Sequence, residues 1–334
     1  MGSPTSLRTP LKEIAIAVMG PSGSGKTTFI NLLSGSNFND GRGIQGYHRE
    51  VRVGSPFELD GHLVTLIETP SFDNGKRSDA KVLNNIASYL STMYEQGGRL
   101  TGIIYMQKIS NLTMDIAASR NLEMFKSLCG PNANQNVIVV TSAWDTVEGN
   151  VGQDHEREFM RNETHFRTVM ESGGKMMRHN ASVASGEVII RQFLRKPPLA
   201  LRIQDELCTR RLDITETAAG SRLISDILEE SNTHKSKLRW LEMEITTAKL
   251  ANDAETENDI RKECSWLQAK VERLENEMAE MAVAYGRMND ISKGQTHVIS
   301  RIPPKSRTPG HLLGLDGHGK GHQDKHFARS GYHL

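Results

Sequence analysis

The sequence predicts an α/β protein, a three-layer arrangement in which helices cover both faces of a mostly parallel sheet, continued by a helical or coiled-coil extension. Three observations carry that expectation: an apolar run ending in a glycine-rich loop, an alternation of strand-like and helix-like segments up to about residue 194, and a change of character after Pro197-Pro198. In the first strand, residues 13–19, Ile14, Ile16 and Val18 alternate with Ala15, Ala17 and Met19, so both faces are apolar and suited to burial on both sides. Further strands are expected at 50–53, 63–68, 102–106 and 137–141, with helices near 25–34, 78–95 and 116–129. Gly97-Gly98 and Gly130-Pro131 punctuate the helices that precede them. Such a sheet offers its ligand site at the carboxyl ends of the strands.

The loop after the first strand reads GPSGSGKTT and meets G-x-x-x-x-G-K-[ST] at Gly20, Gly25, Lys26 and Thr27. In a loop of this kind the amides of Ser22, Gly23, Ser24 and Gly25 and of the following Lys26, Thr27 and Thr28 turn inward around phosphate oxygens. Glycine is needed because the backbone takes positive φ and approaches anionic oxygen without a Cβ in the way. Lys26 adds a mobile point charge and Thr27 a hydroxyl for Mg²⁺, while the helix beginning near Gly25 aims its first amides and its dipole at the same phosphates. Phe29, Ile30, Leu32 and Leu33 give that helix its apolar face. The expected ligand is a nucleoside triphosphate with Mg²⁺.

At 334 residues the chain can bury one sizeable core and still carry appendages. Hydrophobic content of 37% and aromatic content of 5% are low for a wholly globular chain, which assigns part of the length to helical rod or tail. A net charge of +1 speaks against a generally basic surface, so nucleic acid is not an expected partner. Cys129, Cys208 and Cys264 are far apart and lack metal-ligand spacing, as suits reduced thiols. Residues 1–12 carry no secretory apolar stretch and no run approaches a membrane span, so a soluble, cytoplasmic protein is expected. Met1-Gly2 with Ser6 matches M-G-x-x-x-[ST], which leaves a lipid-mediated membrane contact open.

The sequence divides into a flexible N-terminus (1–11), a nucleotide-binding domain with packing helices (12–230), a coiled coil or helical hairpin (231–290) and a disordered tail (291–334). Residues 199–227 read as helix packed on the domain. Beyond them, Ile260, Cys264, Leu267, Val271, Leu274, Met278, Met281, Tyr285 and Met288 step by four and three as an uninterrupted seam. Leu238, Leu241, Ile245 and Ala248 follow the same steps in another register, so a stutter, hinge or hairpin turn falls between Asn252 and Ile260. The seam serves either oligomerisation, the slightly favoured reading, or a helix folding back on its own domain. The tail contains Pro303-Pro304, Pro309, repeated glycines and His311, His318, His322, His326 and His333, a composition that gives no fixed metal geometry.

The segments IAVMGPSGSGKTTFINLLSG, LIETPSFD, LTGIIYMQKIS, NLEMFKSLCG, NVIVVTSAWD and LALRIQDELCTRRLDITETAAG, in that order, resemble the septin-like P-loop GTPases. Within them the likeness is to the immunity-associated AIG-type branch and its fungal G-domain relatives. The resemblance implies GTP or GDP with Mg²⁺ and makes ETPS the counterpart of D-T-P-G. Glu68 then stands where Asp would contact the metal through water, and Ser71 where Gly would donate its amide to the γ-phosphate. Glutamate keeps the charge but adds a methylene, and serine restricts a backbone that glycine leaves free; a bland alternative has Glu68 merely ending a strand. The threonine of the first switch falls at His48, whose imidazole is a poor Mg²⁺ ligand. TSAWD takes the place of N-K-x-D, with Asp145 reading guanine and Trp144 beside it, but Ser142 and Ala143 replace the asparagine and lysine. A lost buried polar contact costs ~1–3 kcal/mol. Alternatively, Asp145 caps a helix over residues 146–152. A further base contact is expected from residues 175–180.

These residues assign Lys26 and Thr27 to the reaction and Thr27 and Glu68 to the metal, in a GTP-binding switch with slow, Mg²⁺-dependent hydrolysis and water as the nucleophile. The departures at His48, Glu68, Ser71 and Ser142 support the alternative, a nucleotide-bound but hydrolysis-deficient scaffold acting through its coiled coil on an unidentified protein partner. An ATP-using phosphotransferase would need an acceptor pocket and an arginine-rich lid, and the sequence shows neither. The resemblance also implies homodimers that pair across their nucleotide faces.

Overall fold

The computed structural model describes residues 11–38, 50–72, 78–112 and 116–296, with side chains described as far as residue 281. His48, the M-G-x-x-x-[ST] segment and the histidine-bearing tail lie outside the described residues. Seven strands form one sheet in the order β2-β4-β1-β5-β6-β7, with β3 paired to β4. The strands are β1 (Lys12–Met19), β2 (Arg52–Val53), β3 (Phe57–Leu59), β4 (His62–Glu68), β5 (Gly102–Lys108), β6 (Val137–Ser142) and β7 (Lys175–Arg178). β1 lies parallel between β4 and β5, and β6 and β7 continue the parallel run, whereas β2 and β3 run antiparallel to β4.

The alternation along β1 sorts its side chains between two cores. Ile14, Ile16 and Val18 pack with Phe29, Ile30, Ile189 and Ile190, under α1 (Lys26–Ser34) and α6 (Val183–Arg191). Ala17 and Met19 face the opposite way, with Leu83, Ile86, Leu122 and Phe125 from α2 (Asp79–Glu95) and α3 (Ile116–Cys129). This is a three-layer α/β architecture, and it places the loop after β1 at the carboxyl edge of the sheet.

Two strands escape the sequence pattern. β3 has three residues, and β7 has four with exposed ends, too few for alternation to register. In β7 the stretch around residues 175–180 proves to be an edge strand followed by a turn. α4 (Gly149–Arg161) and α5 (Arg167–Glu171) lead up to it. The continuous helix expected over residues 199–227 is interrupted. It resolves into α7 (Arg202–Gln204), a wider π-type turn at Asp205–Thr209 and a short 3-10 turn at Ile214–Glu216, before α8 (Ala218–Leu250) begins. The break has local causes: Arg211 takes a left-handed φ of 59°, and the Thr217 hydroxyl caps α8 by accepting from the Gly220 amide at 3.0 Å.

α8 and α9 (Ala254–Thr296) form an antiparallel pair joined by a turn at residues 251–253. Asn252 is left-handed with φ 55°, and Asp253 caps α9 by accepting from Thr256 N at 3.1 Å and Thr256 Oγ1 at 2.7 Å. The seam expected to favour oligomerisation is covered from within the same chain. Leu267 and Cys264 join Leu238, Leu241 and Ile245 of α8, while Leu274 and Met281 enter the large core on the α2 face. About halfway along, α9 meets the start of α2. Glu277 Oε1 accepts from the Ala80 amide at 2.9 Å, and the Asn84 side chain donates to the Met281 carbonyl at 2.8 Å. Glu230 of α8 ties the layers together through Arg120 at 3.3 Å and Lys270 at 3.0 Å. Tyr285 and Met288 lie beyond the described side chains.

If α9 belongs to the core, Leu274→Ala lowers the unfolding free energy by about 2–5 kcal/mol in a urea titration. Leu250→Ala, at a side chain 83% exposed, changes it by less than about 0.5 kcal/mol.

Candidate functional site

β1 delivers the chain into the loop at Gly20, whose φ is 131° and where an added Cβ would lie 2.3 Å from the Met106 carbonyl oxygen of β5. No other residue fits so close an approach. Gly25, with φ 100°, ends the loop as the residue before α1. The first turn of α1 has neither a side-chain cap nor an acidic residue, so its positive dipole end suits an anion. Ser24, Lys26 and Thr27 are buried, whereas Ser22, Gly23 and Thr28 are exposed along the mouth of the loop.

Lys26 folds back over this loop. Its ammonium donates to the carbonyls of Gly20 at 2.7 Å and Pro21 at 2.9 Å, and to the Ser71 hydroxyl at 2.9 Å. Ser71, which the sequence marks only as a restriction on the backbone, therefore links the segment after β4 to the phosphate loop. Thr27 donates to Glu68 Oε1 at 2.6 Å, joining the two residues assigned to the metal. Glu68 ends β4 with a side chain 2% exposed, and its other carboxylate oxygen is ion-paired with Arg52. The same guanidinium nitrogen of Arg52 donates to Thr27 Oγ1 at 3.2 Å. The hydroxyl and carboxylate are hard oxygen donors of the kind Mg²⁺ takes alongside phosphate and water.

Ser142 ends β6 and donates to the Ser24 carbonyl at 2.7 Å, with both residues buried. The serine thus braces the phosphate loop, a role that reading it as a lost base contact does not reveal. Ala143 is left-handed at φ 58°, which turns the chain into a single 3-10 turn at Trp144–Thr146. Asp145 is exposed on that turn and has no hydrogen bond or ion pair among the described residues. It does not cap the next helix: α4 begins at Gly149 with Glu148 in the cap position. The Trp144 indole donates to Thr141 O at 3.2 Å and Oγ1 at 3.1 Å, and the Arg178 guanidinium stands 4.1 Å from its ring centre. Arg178 is itself ion-paired to Glu156. Trp144 therefore buttresses the loop that presents Asp145.

His179 follows β7 and closes this side. Its amide donates to the Thr141 carbonyl at 2.8 Å, its Nδ1 lies 2.7 Å from the Ser185 hydroxyl, and its ring meets Phe29 edge-on at 5.0 Å. Burial holds its imidazole below the ordinary 6.5. At His165 burial likewise lowers the value, outweighing the attraction of Glu158.

The structure thus brings together Lys26, Thr27, Glu68 and Ser71, and sets Asp145 apart on its own turn. Two cations were not singled out from the sequence. Arg52 sits opposite Glu68 in the β2–β4 pairing, and Lys108 ends β5 with its ammonium 3.6 Å from where a Cβ on Gly23 would stand. Lys108 lies at the carboxyl end of a strand, and that position is the signal that could have drawn attention to it.

No protein-family model and no curated protein matches this chain. Among solved structures it is similar to Toc33 from Arabidopsis thaliana in complex with GDP and Mg²⁺, at 12% identity over 57% of this chain and 88% of that one, with a TM-score of 0.43. It is also similar to Era from Aquifex aeolicus bound to GDP.AlF4⁻, at 15% identity over 56% of this chain and 58% of that one, TM-score 0.40. A third likeness is to the FeoB G-domain from Methanococcus jannaschii, at 16% identity over 55% of this chain and 95% of that one, TM-score 0.32. Likeness this distant carries no functional weight.

Ser142→Ala strands the buried Ser24 carbonyl, and the expected cost is about 1–2 kcal/mol of stability in thermal or urea unfolding. The buried histidines give a pH dependence of definite sign. The fold favours their neutral form, so below about pH 6.5 the unfolded chain binds more protons and stability falls as the pH drops. Melting temperatures measured between about pH 7.5 and 5.5 show this fall, and His179→Gln makes it shallower.

Proposed function

We propose that this chain binds a guanine nucleoside triphosphate and acts as a conformational switch with slow, Mg²⁺-dependent hydrolysis. The observation that carries the reading is the convergence of the uncapped first turn of α1, the Lys26 ammonium and the Thr27–Glu68 contact at the carboxyl edge of the sheet. In the bound state Lys26 exchanges its carbonyl partners for β- and γ-phosphate oxygens, where its charge offsets the charge developing in the transition state. Thr27 and Glu68 would hold Mg²⁺, which would supply charge neutralisation when bound. Ser71 releases Lys26 as the phosphate arrives, so the segment following β4 responds to the γ-phosphate. Asp145 accepts from the ring nitrogen and amino group of guanine, the assignment its resemblance to N-K-x-D provides. Water is the nucleophile, and catalysis rests on positioning and electrostatics.

Membership of the AIG-type branch, a cytoplasmic location and pairing of two copies across their nucleotide faces are parts of the same proposal. The alternative, a nucleotide-retaining scaffold without turnover, is favoured by the guanidinium already paired with Glu68.

Titration of the purified protein with a fluorescent GTP analogue tests the reading. Lys26→Ala weakens binding at least about tenfold, the loss expected for a charge-assisted contact, and abolishes phosphate release. Tight GTP retention without release selects the scaffold. Stronger competition by ATP than by GTP removes the role given to Asp145, and no binding of either nucleotide defeats the proposal.

A further inference from the structure

Arg52 is held in a socket rather than lying loosely on the surface. It is the direct cross-strand partner of Glu68, and one of its nitrogens serves both the second carboxylate oxygen of Glu68 and, at 3.2 Å, Thr27 Oγ1. With the 2.6 Å bond from Thr27 to Glu68, this closes a triangle of hydroxyl, carboxylate and cation. The guanidinium also stands 4.3 Å from the centre of the Phe38 ring. That ring's backbone is pinned on both sides by the Asn31 amide, which donates to Phe38 O at 2.8 Å and accepts from Phe38 N at 3.0 Å. Glu68 is 2% exposed, and a carboxylate so buried must be neutralised locally. Among the described residues, Arg52 meets that charge.

We infer that Arg52 is a resident cation of the phosphate site, standing where a divalent ion would join Thr27 to Glu68, so that polyphosphate binding requires little Mg²⁺. The inference rests on the nucleotide-binding reading and deepens it. Guanidinium and Mg²⁺ compete for the same hydroxyl and carboxylate oxygens. Guanidinium needs no water shell rebuilt around it, whereas Mg²⁺ sheds its waters reluctantly. An incoming triphosphate meets the Lys26 ammonium in a site where the Glu68 charge is already offset by Arg52. Thr27 and Glu68 could hold Mg²⁺ only once Arg52 has left Thr27, which would separate holding the nucleotide from turning it over.

The test is the dissociation constant of the full chain for a fluorescent GTP analogue, measured in millimolar Mg²⁺ and in EDTA. For the wild-type protein the two values are expected to agree within about threefold, and Arg52→Gln to open a gap of about tenfold or more, with weaker binding in EDTA. Circular dichroism checks that the variant is folded. If it is not, Arg52→Lys, which keeps a charge but loses the fork, is expected to show a smaller gap of the same sign. Wild-type binding that is lost in EDTA overturns the inference while leaving the nucleotide reading intact, and so does a folded variant with no greater Mg²⁺ dependence than wild type. Absence of binding in both media overturns the reading and the inference together.

Discussion

The parallel register of β1 against β4 is the constraint on which the site depends. Val18 pairs with Glu68, so the two strands end at the same level and the chain leaving each of them emerges at one edge of the sheet. Lys26 and Thr27, fixed in the first turn of α1, can then meet Ser71 and Glu68 only because that register holds. A slip by one residue would turn the Glu68 side chain to the other face of the sheet. The hydrophobic sorting along β1 prevents this, because Ile14, Ile16 and Val18 cannot exchange faces with Ala17 and Met19 without exposing one core and overfilling the other.

Within that frame the loops do different amounts of work. The phosphate loop is braced on three sides: by Ser142 at its floor, by the Met106 carbonyl against Gly20, and by the carbonyls that Lys26 bridges. The Asp145 turn is fixed at its base through Trp144 and Arg178 while its acid stays exposed. Under the proposed nucleotide reading, the braced loop would serve the polyphosphate and the buttressed but open turn the base, so that the cost of ordering each would fall on folding rather than on binding.

Much of this was legible in the residues. The phosphate loop, the two-sided burial of β1 and the strand ending at Glu68 follow from spacing and alternation, because those patterns state a local requirement that a single segment can meet. Arg52 was hidden, since its meaning comes from an antiparallel partner that no local pattern predicts. Ser142 was legible as a departure but not as a brace, because its acceptor is a carbonyl far away in sequence. The seam of α9 was seen, and its cover was left open between a second copy and the chain's own helices. A heptad-like stripe states that something apolar must cover it, and whether the cover is a second chain or α8 and α2 depends on a turn at Asn252 that composition alone left open.

The meeting of α9 with the first turn of α2 has a consequence for how this protein can be divided. Glu277 occupies an amide at the very start of the helix that follows the Ser71 segment, and the Asn84 side chain holds the α9 backbone one turn further on. A fragment ending before residue 254 would lack that clamp and the apolar cover that Leu274 and Met281 give the α2 face. What reads along the chain as an appendage is, in three dimensions, the outer wall over α2.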